Sequence, residues 1–136
     1  MSNGYLLDSS TFLALIGNEP GADRLHPLLA SSAITAINLA EVVKKLRERG
    51  VPRPEVEATI ADIQIPIEAG PANATGPADA AQAIELGDLA AAVRSHGLSM
   101  GDAVCLATAA RSKRTAVTTE KRWQEALPNA PILTLR

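Results

Sequence analysis

Short apolar runs alternate with longer amphipathic stretches along the 136-residue chain. The short runs have the length and the side-chain character of buried β-strands. They predict strands at 5–7, 33–36, 114–118 and 132–135. Residues 65–67 form either a short edge strand or an extended loop segment, because Pro66 has no N–H to donate to a central ladder.

The longer stretches carry apolar residues at helical spacing, and turn residues mark several of their ends. Asn38 is the expected N-cap of one helix, Gly50 its stop, and Ser99 the N-cap of another. The predicted helices are 11–16, 21–30, 39–49, 54–63, 78–96, 100–111 and 120–127.

Strands that alternate with helices indicate an α/β fold, in which a parallel sheet carries helices on both faces. The stretch 68–77 is rich in Gly, Pro and Asn, and it predicts a loop that is too short to separate two domains. We therefore expect one domain over residues 1–136.

Composition favours a protein of the cytoplasm. Apolar residues make up 46% and charged residues 21% of the chain, as in ordinary soluble domains. No apolar run is long enough to span a membrane, and Asp8 interrupts the first one, so a signal peptide is not expected. The lone Cys105 cannot form an internal disulfide.

Four acidic residues stand beside the predicted strand ends and helix starts. Asp8 follows the first strand directly, and Glu41, Asp102 and Glu120 lie at the starts of three helices. Ligands of open α/β sheets bind at the carboxyl edge of the strands. Carboxylates that gather there repel one another unless a cation neutralises them, and oxygen ligands suit Mg²⁺, with Mn²⁺ as a substitute.

Helix capping is the alternative explanation for three of these acids. Asn38-x-x-Glu41 and Ser99-x-x-Asp102 both fit a capping box, and Glu120 suits the positive end of a helix. Asp8 is different, because an acid between an apolar strand and an apolar helix is costly unless something uses it.

The basic residues and aromatics limit how nucleic acid could be recognised. The net charge is −2, but without the four acids above the 13 basic residues outnumber the remaining acidic ones. The end of helix 39–49 carries a basic group that is either a solvated face or an RNA backbone contact: Lys44, Lys45, Arg47 and Arg49. With three aromatic side chains no stacking platform is expected, so recognition would rely on backbone and shape.

The order of four motifs resembles the PIN-domain ribonucleases, and most closely the VapC-type toxins of VapBC toxin–antitoxin pairs. The motifs are LLDSS ending the first strand, NLAEVV, GLSMGDAVCLA and AVTTEKRW. Asp8, Glu41 and Asp102 coincide with the three core acids of that family. Glu120 stands where the family usually has Asp, so the carboxylate is kept on a longer arm.

The resemblance implies a three-layer α/β/α sandwich around a mostly parallel sheet of four to five strands. It implies an endoribonuclease that hydrolyses RNA phosphodiester bonds, including those of tRNA, with water activated by Mg²⁺ or Mn²⁺ held by Asp8, Glu41, Asp102 and Glu120. The hydroxyls of Ser9 and Thr118 are expected to position substrate or water nearby. The expected partners are a VapB-type antitoxin and a second copy of the chain in a homodimer.

Two other functions fit parts of the pattern. A phosphatase with Asp8 as its nucleophile would want a second acid two residues later, where Ser10 stands. A non-catalytic binding module, in which the acids are helix caps, would bind a protein partner through a groove. A measurement of metal binding would distinguish the two, because only the nuclease is expected to bind a divalent cation.

Overall fold

The computed structural model describes residues 4–69 and 80–136 of the chain. Within these residues, five strands form one sheet in the order β3-β2-β1-β4-β5, and every neighbouring pair is parallel. The strands are β1 (Tyr5–Leu7), β2 (Ser32–Thr35), β3 (Ile67–Glu68), β4 (Thr115–Thr118) and β5 (Ile132–Thr134). Leu7 is in register with Ile34 and Val117, so the three central strands end at the same level.

Helices connect consecutive strands, as parallel pairing requires. They are α1 (Ser9–Ile16), α2 (Ala22–Leu25), α3 (Ala36–Glu48), α4 (Arg53–Ile63), α5 (Ala80–Val93), α6 (Met100–Ser112) and α7 (Arg122–Ala126). In the described part of the chain, the 3₁₀ segments His26–Ser31 and Arg94–His96 also belong to the connections.

Two apolar cores separate the helices into layers on opposite faces of the sheet. Leu7, Ile34 and Val117 pack with the helices α1 to α4, whereas their neighbours Leu6, Ala33 and Ala116 pack with α5, α6 and α7. Successive strand residues point to opposite faces, so each central strand contributes to both cores. The three-layer α/β/α architecture and the parallel five-stranded sheet are thus confirmed.

The N-terminus of α3 differs from the prediction in a way that bears on the site. Thr35, not Asn38, is the N-cap: its hydroxyl accepts a hydrogen bond from the backbone N–H of Asn38. The helix therefore begins at Ala36, and Glu41 lies in its second turn rather than its first. The predicted Asn38–Glu41 capping box was wrong, because a threonine at the end of β2 already provides the cap.

Other boundaries shifted where backbone chemistry interrupts a regular helix. The predicted helix 21–30 is α-helical only at Ala22–Leu25 and continues as a 3₁₀ segment, since Pro27 cannot donate a main-chain hydrogen bond. The helix predicted at 120–127 begins at Arg122, which leaves Glu120 in the preceding turn. The uncertain segment 65–67 is resolved as the edge strand Ile67–Glu68.

Some predicted features lie partly outside the described residues. Of the predicted loop 68–77, Glu68 belongs to β3, and residues 70–77 are outside the described part of the chain. Of the predicted helix 78–96, the described part is helical at Ala80–Val93 and 3₁₀ at Arg94–His96. Within residues 4–69 and 80–136, no helix is long and apolar enough to cross a membrane.

Candidate active site

Asp8 is the buried centre of the carboxyl edge. It follows β1 directly, only 1% of its surface is exposed, and its backbone N–H donates to the carbonyl of Val117 on β4. The side chain also caps α1, because Oδ1 accepts from the backbone N–H of Thr11 at 2.8 Å. Its position is therefore set by the end of one strand and the start of the next helix.

Two hydroxyls complete the surroundings of the Asp8 carboxylate. Thr118 Oγ1, at the end of β4, donates to Oδ2 at 2.6 Å, and Ser10 Oγ lies 2.8 Å from both oxygens. Ser10 has one proton, so the carboxylate receives three hydrogen bonds from Thr11, Ser10 and Thr118. An ionised carboxylate offers about four acceptor positions. One of these positions is therefore left for a further donor or a cation.

Burial raises the pKa of Asp8 from 3.8 to about 6, although the hydrogen bonds from Thr118, Thr11 and Ser10 oppose the shift. Three donors are not enough to replace the water that the charged form has lost. The ionised carboxylate is consequently a poorly compensated negative charge near neutral pH. Such a group gains stability from any cation that reaches it.

Asn38 links α3, Glu41 and α6. It is fully buried, its Oδ1 accepts from the Thr35 hydroxyl at 2.6 Å, and its Nδ2 donates to Glu41 Oε1 and to the carbonyl of Gly101, both at 3.0 Å. Because a buried amide with all of these partners has little freedom, Asn38 holds the Glu41 carboxylate against the first turn of α6.

Gly101 provides the space that the Glu41 carboxylate occupies. A Cβ at position 101 would overlap both carboxylate oxygens of Glu41. The α6 helix begins just before this residue, so the missing side chain brings Glu41 of α3 next to Asp102 of α6.

Asp102 forms the capping box that the sequence predicts. Its Oδ2 accepts from the backbone N–H of Ser99 at 2.8 Å, and its own N–H donates to Ser99 Oγ at 3.1 Å. Burial raises the pKa of Asp102, the negative charge of Glu120 raises it further, and the hydrogen bonds from Ser99 and the charge of Arg122 oppose the rise. Capping thus coexists with electrostatic repulsion from a second acid.

Glu120 lies at the rim, where it is partly neutralised. Its Oε2 accepts from Arg122 Nη2 at 3.1 Å, and both side chains are about half exposed. Its backbone N–H donates to Thr118 Oγ1 at 3.0 Å, the same hydroxyl that donates to Asp8. The turn that carries Glu120 is therefore joined to the buried centre.

The buried thiol of Cys105 feels the negative charge of three of the four acids. Its pKa is raised well above the usual range by burial, and then by the negative charges of Asp8, Asp102 and Glu41. Hydrogen bonds bring the acids together in two pairs: the Thr118 hydroxyl joins Asp8 to the backbone of Glu120, and Asn38 holds Glu41 at Gly101, the residue before Asp102.

The donor set suits a hard divalent cation, because every candidate ligand is a carboxylate oxygen. In the conformation described for residues 4–69 and 80–136, no three His, Cys, Asp or Glu side chains are arranged to hold a metal. Two of the acids have other partners: Asp102 accepts from Ser99, and Glu120 pairs with Arg122.

Three residues of the site were missed by sequence reasoning. Ser10, rather than Ser9, contacts Asp8, because the second residue of a helix lies nearer to the N-cap side chain in this turn. Asn38 is predicted as an N-cap, but it contacts Glu41 three residues later, which is the spacing of neighbours on a helix face. No local sequence pattern marks Gly101, because its role is to leave room for the Glu41 side chain of a different helix.

Comparison with known proteins is consistent with this arrangement. A family model described as the PIN domain matches residues 5–127. The chain belongs to the PIN domain family. The predicted resemblance to PIN-domain proteins is thereby confirmed, and the matched region contains all four acids.

Several solved structures share the fold over almost the whole chain. DNA-bound VapBC from Salmonella typhimurium matches with a TM-score of 0.69 and 19% identity, covering 100% of both chains. VapBC2 from Rickettsia felis, bound to a promoter DNA fragment, matches with a TM-score of 0.67 and 17% identity, covering 97% of this chain and 98% of that one. VapBC-1 from nontypeable Haemophilus influenzae matches with a TM-score of 0.62 and 18% identity, covering 96% of this chain and 97% of that one. No curated protein shows a significant sequence match.

Proposed function

We propose that this PIN-domain protein is a metal-dependent endoribonuclease and acts as the toxin of a toxin–antitoxin pair. The observation that carries the proposal is the burial of Asp8 at the carboxyl edge, joined through Thr118 to the turn of Glu120, with Glu41 held at Gly101 beside Asp102. A protein that used its acids only as caps would not need to bury one of them at this cost.

Asp8, Glu41 and Asp102 would hold Mg²⁺ or Mn²⁺, and Glu120 would join them by leaving Arg122. The ion, when bound, supplies charge neutralisation and Lewis-acid activation of water and of a phosphodiester.

The chain's own residues orient these carboxylates. Thr118 and Ser10 fix both oxygens of Asp8, Asn38 fixes one oxygen of Glu41, and the Ser99 N–H fixes one oxygen of Asp102. Each of these three acids keeps at least one acceptor position that is not used by its hydrogen bonds. Arg122, at the rim, is placed to contact a phosphate once Glu120 turns away.

The toxin role is supported by the likeness to VapBC structures over the full length of the chain. We propose a VapB-type antitoxin as partner, a homodimer as the assembly, RNA such as tRNA as the substrate, and the cytoplasm as the location. Two cavities, of about 450 and 340 Å³, flank α4, and their apolar lining residues, which include Ile16, Ile60 and Ile63, would contact apolar side chains of an antitoxin.

A non-catalytic binding module is the second candidate. The complete Ser99–Asp102 capping box favours it, as does the N-cap role of Asp8. This candidate predicts no gain in stability from divalent metal, whereas the nuclease predicts one.

Thermal unfolding with and without Mn²⁺ tests the proposal. A ligand that binds only the folded protein stabilises it by about 2.7 kcal/mol at 100 times its Kd. We expect Mn²⁺ to raise the unfolding midpoint of wild type but not that of Asp8→Asn. Asp88→Asn, which makes the same change on the exposed face of α5, is the matched control and should respond like wild type.

RNA cleavage completes the test. Wild type and Asp88→Asn are expected to cut RNA in Mg²⁺ or Mn²⁺, and Asp8→Asn to lose activity. An Asp8→Asn protein that cuts RNA at the wild-type rate would refute the assignment of Asp8. Absence of both the metal shift and cleavage in wild type would favour the binding module.

A further inference from the structure

A small polar cavity of about 150 Å³ continues from the acidic site along the surface between α1 and the end of α3. On one side it is lined by Ser10, Thr119 and Glu120, which belong to the hydrogen-bonded surroundings of Asp8. On the other side the lining is mostly basic. The cavity therefore joins the acids to a positively charged surface.

The basic side of the cavity lies on the same helical stripe as Glu41. Lys45 and Arg49 follow Glu41 at intervals of four residues, and both line the cavity. A rise of 1.5 Å per residue separates successive members of this stripe by about 6 Å along the helix axis. The two cations consequently extend away from the acids in one line.

The charges of Lys45 and Arg49 are not compensated within the cavity. Its two acids already have partners, since Glu19 pairs with Arg136 at 2.8 Å and Glu120 with Arg122 at 3.1 Å. Within residues 4–69 and 80–136, neither Lys45 nor Arg49 takes part in an ion pair, whereas the adjacent Lys44 pairs with Glu48.

We propose that Lys45 and Arg49 bind a backbone phosphate of single-stranded RNA, adjacent to the phosphate that reaches the acids. The proposal rests on the proposed nuclease function and adds a specific substrate-binding subsite to it. A phosphate group fits a cavity of this size, and the guanidinium fork of Arg49 matches its geometry.

The test compares two double variants that remove equal charge from the same helix. Lys45→Gln/Arg49→Gln alters the cavity, and the matched control Lys44→Gln/Arg47→Gln alters neighbouring positions outside it. Binding of a fluorescent single-stranded RNA is measured in EDTA, where cleavage does not interfere, over a series of salt concentrations. Each phosphate contact contributes about 0.7 to the slope of log K against log salt for single strands.

We expect the cavity variant to bind RNA about tenfold more weakly than the control, and the slope of log K against log salt to be smaller in magnitude by about 0.7, since one phosphate contact is lost. Its unfolding midpoint should equal that of the control, because all four side chains are exposed. In Mg²⁺, the weaker RNA binding should raise KM for cleavage, while kcat at saturating RNA is unchanged.

Equal RNA affinity of the two double variants would overturn the phosphate site, whether or not the protein cleaves RNA. Absence of RNA binding by wild type would overturn it too, as would a cavity variant that loses affinity for polyglutamate instead of RNA. RNA binding that depends on Lys45 and Arg49 in a protein that never cleaves RNA would support the site and overturn the nuclease. The failures of the two proposals are thus distinguishable.

Discussion

At the scale of single residues, Asp8 combines a structural and a chemical role. It caps α1 through the Thr11 N–H, and it is also the carboxylate whose charge is least compensated. An Asn at the same position is as good a cap as Asp but carries no charge. The two roles can therefore be separated by a single substitution.

We predict that Asp8→Asn stabilises the metal-free protein at pH 7 by up to about 3 kcal/mol, since each pKa unit corresponds to 1.36 kcal/mol. The folded pKa of about 6 exceeds the ordinary 3.8, so ionisation destabilises the fold as pH rises between these values. The advantage of Asn should consequently shrink as pH falls from 7 towards 4. Urea unfolding in EDTA at several pH values measures the difference in unfolding free energy between the variant and wild type. An Asp8→Asn protein less stable than wild type at pH 7 would contradict the prediction.

At the scale of elements, the site depends on how closely α3 approaches α6. Asn38 of α3 hydrogen-bonds the Gly101 carbonyl of α6, and the Glu41 carboxylate occupies the space beside Gly101. Neither helix makes this arrangement alone, because the two sequence segments are about sixty residues apart. The small residue and the buried amide together define the distance between the helices.

We predict that Gly101→Ala keeps the fold but weakens metal binding. The new methyl group would displace the flexible end of Glu41, which can move without disturbing the backbone. The thermal shift produced by Mn²⁺ should fall well below the wild-type shift, and RNA cleavage should fall with it.

Gly87→Ala is the matched control, because a Cβ there meets nothing within 4 Å and α5 gains up to about 1 kcal/mol from the better helix former. Its response to Mn²⁺ should equal that of wild type. A Gly101→Ala protein with an undiminished Mn²⁺ shift would show that Glu41 is not a ligand.

At the scale of the whole molecule, one ion pair connects distant parts of the sheet. Arg114, just before β4, donates through both Nη atoms to Glu68 of the edge strand β3, at 2.7 Å for Nη1, while its Nε donates to Ser112. The Arg114 side chain is 11% exposed and that of Glu68 39%. Loss of one partner would leave a mostly buried guanidinium with unused donors.

We predict that Glu68→Gln destabilises the protein by about 1–3 kcal/mol at pH 7. Hydrogen bonding to Arg114 lowers the pKa of Glu68 below 4.5, so this stability is present at neutral pH and is lost as pH falls through the folded pKa. Urea unfolding checks the value. The control is Glu57→Gln, which breaks a pair whose side chains are 83% and 63% exposed and should cost little. Equal effects of the two variants would contradict a structural role for the Glu68–Arg114 pair.

The strand–helix alternation and the apolar strand ends were sufficient to predict the layered α/β fold. Leu6 and Leu7 are both apolar because each faces a different helix layer, and that pattern is visible in the chain itself. The four acids could also be named in advance, since each stands beside a strand end or a helix start. The order of residues along the chain was thus enough to predict the layered architecture and the candidate chemistry.

Only the tertiary structure decided which polar residues surround these acids. The cap of α3 is Thr35 rather than Asn38, the hydroxyl at Asp8 is that of Ser10, and Glu41 is held beside Gly101. Local spacing predicts contacts within one helix turn, but it cannot predict how two helices pack across a sheet. The positions of Lys45 and Arg49 beside the acids follow from the same packing, because it is the approach of α1 to α3 that forms the cavity.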